Sequence, residues 1–218
     1  MKQRFIGKQQ HNQLLLFFSG WGMDLHPFAH LQSEDRDLMY CYDYRDLSFD
    51  TKLLSGYQDI RVMAWSLGVW VANQILSKLN LPVSQATAIN GTLHPIDGEQ
   101  GIPAAIFQGT IDHLNERTLK KFQRRMCQSA DDYQTFMEIA PQREPIELKQ
   151  ELIRLQEAIS STPEFAIANW DRVYISLSDA IFPPENQQRA WENKAPFHLV
   201  AEGHYCPNLF KQLISHDQ

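Results

Sequence analysis

Asp59-Ile-Arg-Val-Met-Ala-Trp-Ser66-Leu-Gly-Val69 is the stretch whose reading decides the fold. Asp59 to Trp65 is a short, largely apolar run of the kind that forms a buried strand. From Gly68 to Asn80, residues Val69, Val71, Ala72, Ile75, Leu76 and Leu79 recur at helical spacing, and Leu81-Pro82 stops the run. Ser66 stands between the two, with Ala64 and Gly68 two positions away on either side. A chain that leaves a strand and enters a helix through one serine must turn sharply. Small residues at those two positions let strand and helix approach closely. The turn lifts the hydroxyl above the carboxyl edge of the sheet, at the start of the helix. There the Leu67 N–H and the helix dipole can stabilise a developing oxyanion. The commoner pattern carries glycine where this chain has Ala64, and a serine that merely caps a helix is the plainer alternative.

Further strands are expected at Gln13–Ser19, Leu38–Tyr44, Gln85–Asn90, Val173–Leu177 and Phe197–Val200. The run Leu14 to Phe18 is continuously apolar. Short apolar runs alternating with helical segments imply an α/β fold, a mostly parallel sheet covered on both faces. One domain over 1–218 accommodates them. Asn208 to Ser215 reads as a last helix. From about Asn115 to Thr162 the chain is charged and helical, with Leu119, Phe122 and Met126 on one stripe and Leu148, Leu152 and Leu155 on another. Lying between two strands, this segment reads as a helical insertion, a lid spanning roughly 111–165.

Composition narrows the function classes. The 218 residues are 43% hydrophobic and 21% charged, an ordinary globular mix, with a formal net charge of -6. Such a chain as a whole does not attract nucleic acid. The three cysteines, Cys41, Cys127 and Cys206, lie far apart and lack metal-ligand spacing. They read as free thiols in a reducing, cytoplasmic setting, and neither a metal nor a cofactor is implied. The first apolar run is too short for a signal-peptide core or a membrane span.

A serine hydroxyl needs a base to act as a nucleophile at neutral pH. Among eight histidines, His204 lies in Ala-Glu-Gly-His-Tyr, just after the last expected strand. The base needs an acid, and Asp179 follows the strand Val173-Tyr-Ile-Ser-Leu in Leu-Ser-Asp-Ala-Ile-Phe-Pro-Pro. That gives the chain order Ser, Asp, His. Asp171 and Asp112 are rivals, but Asp171 precedes its strand and faces the other end of the sheet. The loop Phe18-Ser-Gly-Trp21-Gly22-Met23-Asp24 follows the first long strand, where this architecture supplies its second oxyanion donor; Trp21 N–H is assigned to it.

Taken together, Phe-Ser-Gly-Trp-Gly-Met-Asp, Ala-Trp-Ser-Leu-Gly-Val, Ser-Asp-Ala-Ile-Phe-Pro-Pro and Gly-His-Tyr resemble the BioG-type pimeloyl-acyl-carrier-protein methyl ester esterases of biotin synthesis. The segment Leu114 to Met126 adds to the resemblance, which covers nearly the whole chain. The resemblance implies an α/β-hydrolase fold with Ser66 as nucleophile, Asp179 as acid and His204 as base. It implies oxyanion donors at Trp21 and Leu67, and a lid that binds the acyl chain and the carrier protein. Trp21, Phe122 and Met126 are then candidates for acyl contact. Arg117, Lys121 and Arg124, spaced i, i+4, i+7, are candidates for an acyl-carrier protein bearing a methyl-pimeloyl chain. Two rivals stand beside this reading. One is a different carboxylesterase, thioesterase or lyase of the same fold; the other is a catalytically inactive hydrolase used as a binding module.

Overall fold

In the computed structural model, which describes residues 1–162 and 168–215, the strands and helices alternate. The chain runs β1 (Lys2–Gly7), β2 (Gln13–Phe18), β3 (Asp37–Tyr42), β4 (Asp59–Trp65), α1 (Leu67–Leu76) and β5 (Val83–Ile89). Four helices follow: α2 (Ala104–Asp112), α3 (Glu116–Met126), α4 (Ala130–Glu138) and α5 (Pro145–Ser161). The chain then returns through β6 (Arg172–Ser176), α6 (Pro184–Trp191), β7 (Phe197–Val200) and α7 (Pro207–Ser215). One seven-stranded sheet has the order β1-β3-β2-β4-β5-β6-β7. All pairings are parallel except β1 with β3. This is the α/β fold expected from the sequence.

Burial explains why the central strands were legible. Every residue of β3 and all of β2 after Gln13 are buried, as a parallel strand covered on both faces requires. The edge strand β1 was not expected. Its inward side chain is Gln3, which satisfies itself on Asp50: its amide donates to the Asp50 carbonyl at 3.2 Å and its oxygen accepts the Asp50 N–H at 2.7 Å. A glutamine in that place hides the apolar alternation of a half-buried strand. Helices α2 and α6 were also not expected. Only Phe107 and Ile111 of α2 are buried, and half the buried face of α6 is Asn186 and Gln187. Neither leaves an apolar stripe to read. The expected lid range of 111–165 begins at the end of α2 and runs through α5; its last residues, 163–165, lie outside the described residues.

Parallel strands place the loops that follow them at one edge of the sheet. The loops after β2, β4, β5, β6 and β7 therefore converge. Helix α1 lies against β2 so tightly that a Cβ on Gly68 would sit 2.3 Å from the Ser19 carbonyl oxygen. Glycine at 68 is a steric requirement of that contact.

Candidate active site

Ser66 has φ 61° and ψ −131°, a region that residues with side chains seldom enter. Hydrogen bonds hold the turn from both sides. Ser66 N–H donates to the Ile89 carbonyl at 2.9 Å, and the Ser66 carbonyl accepts the Val69 N–H at 3.0 Å. A Cβ on Gly91 would fall 2.2 Å from that Ser66 carbonyl oxygen, so β5 can approach only with glycine there. Ala64 is fully buried and paired with Phe18 and Ala88 across the sheet. A small neighbour on the β5 side leaves room for its methyl.

The three residues expected to act together do meet. His204 Nε2 lies 2.9 Å from Ser66 Oγ, and His204 Nδ1 lies 2.8 Å from Asp179 Oδ2. His204 is 1% exposed and Asp179 5%, so little water competes for these bonds. The turn after β6 fixes the carboxylate: Asp179 Oδ1 accepts the backbone N–H groups of Ile181 at 2.8 Å and Phe182 at 2.9 Å. Oδ2 also accepts from Gln187 Nε2 at 3.0 Å. Walls of the imidazole are aromatic, with Phe182 stacked at 6.0 Å and Trp65 tilted at 5.3 Å between ring centroids. A carboxylate that accepts at Nδ1 leaves Nε2 free to accept from the serine hydroxyl. The rival acids are elsewhere. Asp171 Oδ2 accepts the Ala86 N–H at 2.7 Å, and Asp112 Oδ1 accepts from Gln108 Nε2 at 2.8 Å.

Trp21 and Leu67 both border the slot over Ser66. The Trp21 indole N–H donates to the Leu148 carbonyl at 2.9 Å, and its ring meets Phe122 edge-on at 4.9 Å. Gly22 follows with φ 81°, which only glycine adopts without strain. The slot is narrow, and Phe122, Met126, Leu152, Ile102, Ile106 and Phe107 are among its apolar lining. Phe122 and Met126 thus reach the slot as expected, whereas Leu119 packs against the core without bordering it. Ile106, Thr110, Phe122 and Arg125 border both this slot and a wider groove between α2 and α3, so the two spaces adjoin. Arg117, Lys121 and Arg124 line that groove together with Lys120 and Arg125, all five exposed.

Some of the site was not foreseen from the sequence. Asn90, Gln187 and Trp65 hold Asp179 and the His204 loop, and α2 supplies part of the slot. The pair Asn90-Gly91 at the end of a strand was visible as a break, but nothing in it announces a buried polar hub. Among the described residues, no group of three or more side chains could hold a metal ion, and no helix is long and apolar enough to cross a membrane. The three cysteines are free and buried, and burial pushes the Cys206 thiol well above its ordinary range.

The sheet order and the strained serine turn define an α/β-hydrolase fold. Solved structures agree on that fold. An esterase from Exiguobacterium antarcticum superposes with a TM-score of 0.69 at 14% identity, covering 97% of this chain and 92% of that one. The chain belongs to the BioG family: the family model described as pimeloyl-ACP methyl esterase BioG matches residues 1–216. BioG from Haemophilus influenzae superposes with a TM-score of 0.88 at 37% identity, covering 97% of each chain. A malonyl-[acyl-carrier protein] O-methyltransferase from Bacteroides fragilis is 53% identical over 204 residues. That match takes in 93% of this chain but spans only 41% of the relative's length.

Proposed function

We propose that the protein hydrolyses the methyl ester of pimeloyl-acyl-carrier protein, with Ser66, His204 and Asp179 as its catalytic residues. The observation that carries the reading is the continuous line from Asp179 Oδ2 through the imidazole to Ser66 Oγ, with links of 2.8 and 2.9 Å, at the floor of an apolar slot. Ser66 Oγ attacks the ester carbonyl carbon while His204 Nε2 takes its proton. Negative charge builds on the former carbonyl oxygen, beside the Leu67 N–H at the start of α1 and the Trp21 N–H. The tetrahedral intermediate expels methoxide, which receives the proton from His204 and leaves as methanol. Water then attacks the acyl-serine, with His204 again as base, and releases a free carboxylic acid and Ser66.

The apolar slot suits a hydrocarbon chain, since Phe122, Met126 and Leu152 offer no hydrogen bond to a polar one. Beyond its mouth, Arg117, Lys121 and Arg124 of α3 form a positive rim. An acidic carrier protein docking there feeds its tethered chain into the slot, with α2 to α5 as the lid. The relative whose name is an acyl-carrier-protein methyltransferase is consistent with a substrate ester made on a carrier protein. The test is mass spectrometry of purified methyl-pimeloyl carrier protein with and without enzyme. Loss of one methyl group with the thioester intact is the expected result. Release of the acyl chain from the carrier would identify a thioesterase instead.

A further inference from the structure

Beyond Gly20, the loop that carries Trp21 is held by α5 and the chain leading into it. The Trp21 indole is bonded to the Leu148 carbonyl at 2.9 Å. One turn further along α5, Glu151 Oε2 accepts the Gly22 N–H at 3.4 Å. Arg143 Nη1 donates to the Met23 carbonyl at 3.2 Å, Asp24 Oδ2 accepts the Gln142 N–H at 2.8 Å, and His26 Nδ1 lies 3.0 Å from the Ala140 carbonyl oxygen. The stretch 21–26 is thus stitched, nearly residue by residue, to 140–151.

At the centre is a carboxylate that no surface role explains. Glu151 has no exposed surface, and it lies on the same helix face as Leu148, Leu152 and Leu155. Its Oε1 accepts the Tyr44 N–H at 2.8 Å, while Oε2 takes Arg143 Nη1 at 2.6 Å as well as the Gly22 N–H. Arg143 is itself 6% exposed and reaches Asp43 Oδ1 through Nη2 at 3.1 Å. Asp43 is further paired with Arg45 at 2.7 Å and Lys2 at 3.0 Å. Burying a charge is costly, and a leucine at 151 would cover the core at less cost. A leucine, however, would leave the Gly22 and Tyr44 N–H groups without acceptors and the Arg143 guanidinium without its nearest counter-ion. Those two N–H groups belong to the loops that end β2 and β3.

We propose that Glu151, oriented by Arg143, is a positioning residue that sets the backbone of the 20–24 loop over Ser66. The inference rests on the reading of Trp21 N–H as an oxyanion donor. In this arrangement α5, the last helix of the lid, also braces the loop beside Ser66. Displacing the loop by a fraction of an ångström weakens a bond made to the oxyanion while leaving the apolar slot able to bind the ester.

The test is Glu151→Gln in the full chain, assayed with a short p-nitrophenyl ester for kcat and KM separately. Labelling of the serine by a fluorophosphonate is timed in parallel, and circular dichroism reports the fold. Expected are a drop in kcat of about 10- to 100-fold, KM within about 3-fold of the wild type, and labelling slowed in proportion to kcat. A folded Glu151→Gln protein with wild-type kcat overturns the proposal, and so does a loss expressed in KM alone. Arg143→Lys is the second variant, decisive should Glu151→Gln fail to fold: it keeps the charge but loses the fork that spans Glu151, Asp43 and Met23. Loss of kcat at constant KM in that variant supports the proposal, and unchanged kcat refutes it. Ser66→Ala is run beside them. Activity surviving in Ser66→Ala would sink the reading of the active site itself, whatever Glu151 does.

Discussion

Asn90 donates a hydrogen bond from its side-chain amide to the backbone carbonyl of His204, at 2.9 Å. The same carbonyl accepts the Trp65 indole N–H at 2.8 Å. The Asn90 amide also reaches Ser176 Oγ at 2.8 Å, and its oxygen accepts the Ser176 N–H at 2.8 Å. One buried side chain therefore ties the end of β5 to the end of β6 and to the loop after β7. Its φ of 46° lies in the left-handed region that asparagine tolerates better than most residues. These bonds join the Asp179 contact and the Tyr205 N–H bond to the Met126 carbonyl in placing His204, whose own loop contributes no regular structure.

Replacing Asn90 by alanine leaves the buried Ser176 N–H without its acceptor and removes one of the two donors on the His204 carbonyl. Urea denaturation should show a stability loss of about 1–3 kcal/mol. Turnover of a p-nitrophenyl ester should fall as well, measured well below the unfolding midpoint, because the imidazole is less well placed. Wild-type turnover in a destabilised protein would show that the remaining bonds, from Trp65 to the His204 carbonyl, from Tyr205 N–H to the Met126 carbonyl and from the imidazole to Asp179, suffice to hold the loop.

Asp179 is distinguished from its rivals by what its two oxygens do. Oδ1 is engaged by the backbone of its own turn, leaving Oδ2 for the imidazole. Asp179→Asn should cut kcat on the order of 10³–10⁴-fold, because the amide favours the wrong imidazole tautomer. Binding of the ester should change little. Asp171→Asn, at the far end of β6, should retain nearly full turnover. The same steady-state assay on both proteins decides the assignment, and a large loss in Asp171→Asn would reverse it.

Gly68 is the point where α1 rests on β2. Gly68→Ala puts a methyl 2.3 Å from the Ser19 carbonyl oxygen, well inside the contact distance of a non-bonded carbon and oxygen, so helix and strand must separate. The expected cost is about 1–3 kcal/mol, with a fall in turnover because Ser66 and Leu67 move with the helix. Gly98→Ala is the control, for a Cβ there meets nothing within 4 Å. Thermal denaturation of the pair should separate them, and equal midpoints would show the contact to be softer than its geometry implies.

The sequence carried the parts of this fold that depend on local pattern. The run Leu14 to Phe18 reads as a buried strand, and Asp59 to Gly68 encodes strand, turn and helix in one short stretch. Strand β4 and strand β7 begin and end where the pattern places them. Parts that depend on distant partners were illegible. Gln3 becomes the inward residue of a strand only because Asp50 bonds it, and Glu151 lies on a buried helix face only because Arg143, Tyr44 and Gly22 converge on it. A polar residue in a sequence reads as surface. Its burial is decided by partners many residues away, and no periodicity records them.

The basic rim offers the sharpest separation of chemistry from partner binding. Arg117, Lys120, Lys121, Arg124 and Arg125 lie within three turns of α3, all exposed, on a chain whose net charge is -6. Arg124 spends one donor on the Cys127 carbonyl at 3.3 Å, while Arg117, Lys120 and Lys121 face the groove beside α2. An acidic carrier protein approaching this rim is steered by a field that salt weakens, with a screening length of about 10 Å at 0.1 M ionic strength. Arg117→Glu combined with Lys121→Glu reverses part of that field without touching Ser66, His204 or the slot wall. The double variant should raise KM for a carrier-protein ester by about 10-fold or more at low salt, with the gap narrowing as salt rises. Toward a small neutral ester its kcat/KM should stay within about 2-fold of wild type, because no charge is there to be steered. Parallel assays on the two substrates at two salt concentrations decide the matter. Equal losses on both would mean that the substitutions disturb the slot, and no loss on either would remove α3 from carrier-protein binding.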